Sequence, residues 1–173
     1  MSSATKTTFS NDRHLYIAER VTPMTSIDTV KDKIKEYGYL DFERIKEECS
    51  VYCLNDETVI KLLVKPLKFF KIDGNYTATT IPIMASFSPS GLRGNPSNAR
   101  LPSEPSQIEL LLKENALEFT PVKEPWNEYE VEGIKLSVQT VAQAIAKVDH
   151  NDVQGEPIYL VNHQSVVKRY PPV

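Results

Sequence analysis

The sequence predicts an α+β protein: a winged-helix-like module of three helices and a β-hairpin, followed by a smaller mixed α/β unit. Three observations predict it. Between residues 26 and 65, apolar residues recur in three runs at spacings of three and four, the period of a helix face. Asp73-Gly74-Asn75 joins an aromatic run to a β-branched one, which is a hairpin signal. Residues 86–106 are dense in Ser, Pro, Gly and Asn and divide the chain. The expected organisation is a flexible lead-in over 1–13, the winged-helix-like module over 14–85, a linker or functional loop over 86–105, and the α/β unit over 106–173.

Each element has its own reason. His14–Val21 alternates through Leu15 and Ile17 and reads as a short strand before Pro23. Ser26 is a good N-cap for a helix through Ile27, Val30, Ile34 and Tyr37, and Gly38 stops it. Asp41 opens a second helix through Phe42, Ile45, Cys49 and Tyr52. Asn55 opens a third, with Asp56 and Glu57 near its positive end and Val59, Leu62 and Leu63 on its apolar face. Pro66 disfavours helical geometry at Lys65 and ends it. Leu67–Ile72 and Tyr76–Ile81 then form the two strands of the wing.

In the second unit, Ser106–Asn115 reads as a helix through Ile108, Leu111 and Leu112, and Leu117–Val122 as extended chain. Glu124–Asn127 reads as a turn anchoring the single Trp. Tyr129–Leu136 alternates as a strand or a hairpin with Gly133 at its bend. Ser137 caps a helix carrying Val138, Val141, Ala142, Ile145 and Val148 on one side. After a polar loop, Ile158–Val161 and Val166–Tyr170 close the sheet.

Composition narrows the function classes. Of 173 residues, 40% are hydrophobic and 25% charged, which is enough apolar content for a packed core. The net charge of -3 argues against a protein that coats nucleic acid by bulk charge. No apolar run approaches the roughly 18 residues of a membrane span. The Ser/Thr-rich start lacks the apolar core of a secretion signal, so an intracellular site, cytoplasmic or nuclear, is expected. Two cysteines fit a reducing compartment.

No catalytic, metal or cofactor motif is read, so none of those roles is assigned to a residue. The candidate binding residues are Lys61, Lys65, Lys68, Lys71, Tyr76, Arg93 and Arg100. The four lysines run from the third helix into the first wing strand, where a winged helix meets phosphates. The plainer alternative is a solvated lysine face. Tyr76 leaves the turn beside them and offers a ring for stacking, whereas Phe69 and Phe70 fit a core. Arg93 and Arg100 sit in the Gly/Ser/Pro segment, placed for phosphate or carboxylate or simply on an exposed linker. Cys49 and Cys53 share spacing but lack matching His or Cys partners for zinc, and buried small hydrophobes are the plain alternative. His150 between Asp149 and Asp152 is a polar turn or an acid–base cluster.

These features lead to a non-catalytic binding module, a small subunit or adaptor contacting a protein partner. The first alternative is a DNA- or RNA-binding protein using the third helix and the wing. The second is an enzyme with a dispersed site near His150 or His163.

Overall fold

The computed structural model describes residues 26–170. The lead-in and the strand read at His14–Val21 lie outside them. Ser26 caps the first helix as expected. Its Oγ accepts the Thr29 N–H at 3.2 Å, and α1 runs Ile27–Glu36. Gly38, at φ +81°, turns the chain away from it. A tripeptide later the chain becomes β, and the winged-helix expectation fails.

Eight strands follow: β1 (Phe42–Lys46), β2 (Ser50–Leu54), β3 (Val59–Ile72), β4 (Asn75–Phe87), β5 (Phe119–Lys123), β6 (Trp126–Val131), β7 (Ile134–Asn151) and β8 (Pro157–Arg169). Among the described residues, one further α-helix, α2 (Pro105–Glu114), precedes β5. The strands make two antiparallel sheets, ordered β4-β3-β2-β5 and β1-β6-β7-β8. Each sheet draws strands from both sides of the 86–105 segment.

The second and third predicted helices are therefore strands, and the reason is local. Tyr52 and Leu54 are buried while Cys53 between them is exposed, which is a period of two. Ile60, Leu62 and Val64 are buried against Val59, Lys61 and Leu63 on the other side. The β-branched residues Val59, Ile60 and Val64 fit a pleated sheet better than a helix. Asn55-Asp56-Glu57 is a hairpin turn rather than a helix start. Asp56 Oδ1 accepts the Thr58 N–H at 3.0 Å, and Glu57 takes φ +67°.

The helix read over Ser137–Val148 fails for a subtler reason. This stretch is the middle of β7, an 18-residue strand. Its register on β8 slips between Ala142 and Ala144, so Gln143 is an extra residue. The bulge switches which parity faces inward. Leu136, Val138 and Ala142 are buried before it and Ile145 after it, and a second register shift between Lys147 and Asn151 accompanies the burial of Val148. A bulged strand thus imitates a helical stripe.

The hairpin at Asp73–Gly74 forms as expected, with φ +49° and +80° at those two residues. The strands are longer than the predicted wing, because β3 starts at Val59 and β4 continues to Phe87. The bend at Gly133 and the helix after residue 105 also form. Trp126, read as part of a turn, begins β6.

The sheets pack face to face as a sandwich. Tyr52, Leu54, Ile60, Leu62 and Val64 of one meet Ala142, Ile145 and Tyr159 of the other. Phe69 meets Tyr129, Val131, Leu136 and Val138 in a second cluster. Phe69 and Tyr129 pack ring to ring with centroids 5.7 Å apart. Residues 86–105 are docked rather than free. Gly94 N–H donates to the Gly155 carbonyl at 3.0 Å, and Arg93 pairs with Glu156 at 2.7 Å. Among the described residues, no helix is long and apolar enough to cross a membrane.

Candidate docking surface

The first sheet carries an unusual charge pattern. Its four strands contain Lys61, Lys65, Lys68, Lys71 and Lys123 and no Asp or Glu. The second sheet carries Glu43, Glu128, Glu130 and Asp149 among its basic residues. In a chain of net charge -3, one sheet is therefore purely cationic.

β4 is an edge strand of that sheet and has no charged residue along its length. All seven residues from Ile81 to Phe87 are exposed. Ile81, Ile83 and Phe87 lie opposite Lys65, Leu63 and Val59 of β3, on the face pointing away from the core. Their exposures of 43%, 47% and 55% leave a connected apolar strip in water. Met84, of the other parity, is 38% exposed at the edge.

The backbone of that edge can be oriented from hydrogen bonds elsewhere in the sheet. Leu54 N–H donates to the Thr58 carbonyl on the β3 side, and Asn55 N–H to the Glu118 carbonyl on the β5 side. Successive residues of a strand turn their N–H and C=O to opposite sides. Carried through Tyr52↔Ile60 and Lys61↔Ala85, this makes Ala85 and Ile83 bond to β3. Thr80, Met84 and Ser86 then point their N–H groups to the open edge. Pro82 falls in the same outward set and Pro66 points away from β4, so neither proline removes a β3–β4 bond.

The predicted site residues separate into two places. Lys61 Nζ lies 5.4 Å from the Phe87 ring centroid, Lys68 4.6 Å from Tyr39, and Lys71 4.9 Å from Tyr76. Among the described residues, these three lysines have no carboxylate within ion-pair distance. Lys65 leans to Glu47 at 3.7 Å, which also accepts the Tyr129 hydroxyl at 3.1 Å. Lys123 pairs with Glu48, and with Lys46 at 3.1 Å it holds that carboxyl below the usual carboxylate range. Arg93 and Arg100 lie apart from this face. Arg93 pins the 86–105 segment to Glu156. Arg100 lines a cavity of about 440 Å³ with Gln107, Leu111 and His150.

His150 Nδ1 sits 2.9 Å from Asp149 Oδ1, and its Nε2 is buried without a partner. His163 is on β8 opposite Ala142, well removed along the strand. Cys49 is half-buried and Cys53 exposed. Among the described residues, no three His, Cys, Asp or Glu side chains gather as a metal site.

Sequence reading missed Ile81, Ile83, Met84 and Phe87. The signal was available: thirteen residues from Asn75 to Phe87 without a charge, holding one proline. Compared with protein-family models, curated proteins and solved structures, the chain finds no match in any of the three.

Proposed function

We propose that the protein is a non-catalytic binding module, a small subunit or adaptor that docks a protein partner on the outer face of its first sheet. The observation that carries this reading is the uncharged run Ile81–Phe87, exposed at every residue, on an open edge. Edge strands that are to stay unpaired are normally blunted by charge. Here the only such device is Pro82, and the apolar strip beside it has the character of an interface core. The surrounding lysines supply a polar rim.

The test is affinity capture from the source cells with the intact chain and with its Ile83→Glu and Phe87→Asp variants. A protein retained by the native chain and lost by both variants, at unchanged circular dichroism, supports the reading. Identical retention by all three retires it.

A second reading places single-stranded nucleic acid on the same face. It is favoured by lysines lying over Phe87 and Tyr76, since cations interleaved with rings suit stacked bases and phosphates. Filter binding with an oligonucleotide separates the two. Salt-sensitive binding that disappears on Lys61→Glu and Lys71→Glu supports nucleic acid.

A further inference from the structure

We infer that the partner segment is an extended, acidic and apolar polypeptide that adds to β4 as a fifth strand; this deepens the docking reading and rests on it. The register of β3 on β4 sets the pattern. Along the outer face the rungs are Val59/Phe87, Lys61/Ala85, Leu63/Ile83, Lys65/Ile81 and Lys68/Thr79. At Lys61 and Lys68 the β4 residue is small, Ala85 or Thr79. The Lys61 ammonium lies over Phe87 at the β4 edge, whereas Lys68 leans over Tyr39 on the side of β3 away from β4 and swings across to meet an added strand. At Val59 and Leu63 the β4 residue is a large hydrophobe. An added strand therefore meets an apolar neighbour, then a gap leading to a cation, then an apolar neighbour again.

A strand beside β4 lies about 10 Å from β3, two strand spacings away. A glutamate and a lysine reaching toward each other over Ala85 or Thr79 span that gap. Lys61 and Lys68 rest over aromatic rings instead of carboxylates, so no internal ion pair has to break. The outward N–H groups of Thr80, Met84 and Ser86 supply the ladder, and Pro82 interrupts it at one position. A helix docked on the face uses none of these donors. A polyanionic nucleic acid satisfies the lysines but leaves the edge amides unpaired. A second copy brings an uncharged β4 and no acid for the lysines. Main-chain bonds would give this contact its affinity and the alternating side chains its selectivity.

The probe is a short labelled peptide, Val-Thr-Glu-Thr-Val-Thr-Val-Thr-Glu, titrated against the intact chain by fluorescence anisotropy. Its antiparallel register puts the two Glu opposite Ala85 and Thr79. The expected result is saturable binding that weakens about tenfold when both Glu become Lys. Amide hydrogen exchange at Met84 and Ser86 slows on binding. Ser86→Pro removes one edge donor without touching the β3–β4 ladder, and weakens binding about fivefold. Peptides N-methylated at the amides facing β4 test the same bond with the protein unchanged, and they bind more weakly. Equal binding of the Glu and Lys peptides overturns the inference. So does undiminished binding of the N-methylated peptides. Protection of Met84 and Ser86 by self-association in sedimentation, or by an oligonucleotide, also overturns it. If Ile83→Glu abolishes capture of a cellular partner while Ser86→Pro does not, strand addition fails and the docking surface stands.

Discussion

The Tyr159 hydroxyl meets the Thr58 hydroxyl at 2.8 Å across 101 residues of sequence, tying β8 to the β2–β3 turn. The same hydroxyl donates to Asp56 Oδ2 at 2.9 Å, so it accepts from Thr58, and the Ser88 hydroxyl lies 3.2 Å from Thr58 Oγ1. Both Tyr159 and Thr58 are almost wholly removed from water. Tyr159→Phe keeps the ring packing and leaves these oxygens short of a partner. A loss of about 1–3 kcal/mol is expected, read as a lower midpoint at unchanged slope in urea unfolding.

Alkaline pH should destabilise the fold through three core tyrosines. Burial pushes Tyr52, Tyr129 and Tyr159 above the ordinary phenol value, with the Glu124, Glu47 and Asp56 carboxylates adding to it in turn. The folded chain keeps those protons when the unfolded chain releases them. Their contribution is therefore full below about pH 10 and is lost as pH rises toward the folded values. Thermal melts at rising pH should show the decline. Tyrosinate absorbance should show three of the eight tyrosines ionising only with unfolding.

Gly155 and Gly133 both sit at positive φ, yet they should differ in tolerance. A Cβ at Gly133 meets open space, whereas one at Gly155 lands 2.5 Å from the Gly94 carbonyl oxygen. Gly133→Ala is expected to cost about 1–2 kcal/mol from backbone conformation alone. Gly155→Ala should cost more, because the 86–105 segment must also move. Chemical denaturation of the two variants side by side decides it.

Isoleucines on opposite sides of the sandwich should separate stability from docking. Ile145 is fully buried, and Ile145→Ala should cost about 2–5 kcal/mol. Ile83→Ala, on the exposed strip, should shift stability by no more than about 0.5 kcal/mol. A large loss of stability at Ile83 would mean that the strip is part of the core.

What the sequence disclosed was the local chemistry. Ser26, Gly74 and Gly133 announce a cap and two tight bends through side-chain and backbone preferences that act within a few residues. What it concealed was set by partners far away. Val59, Leu62 and Leu63 form a helical stripe on paper, and only the pairing of β3 between β2 and β4 makes it a strand. Gln143 hides a strand by adding one residue to its period. Phe42, Ile45, Cys49 and Tyr52 share helical spacing, but Phe42 belongs to one sheet and Tyr52 to the other. The lysines of the candidate site were legible as a group. The apolar strip beside them was not, because the run from Ile81 was not followed past its proline.

The strand order also governs how the chain acquires its shape. Phe42 waits for Val131 and Tyr52 for Pro121, so neither sheet is complete until most of the polypeptide is present. The β3–β4 hairpin needs no such delay, since its partners are neighbours in sequence. Non-local pairing slows folding, and a hairpin that forms early holds its sticky rim in water meanwhile. Recovery from denaturant should therefore fall as protein concentration rises, with losses entering through the same rim that the finished molecule offers to its partner.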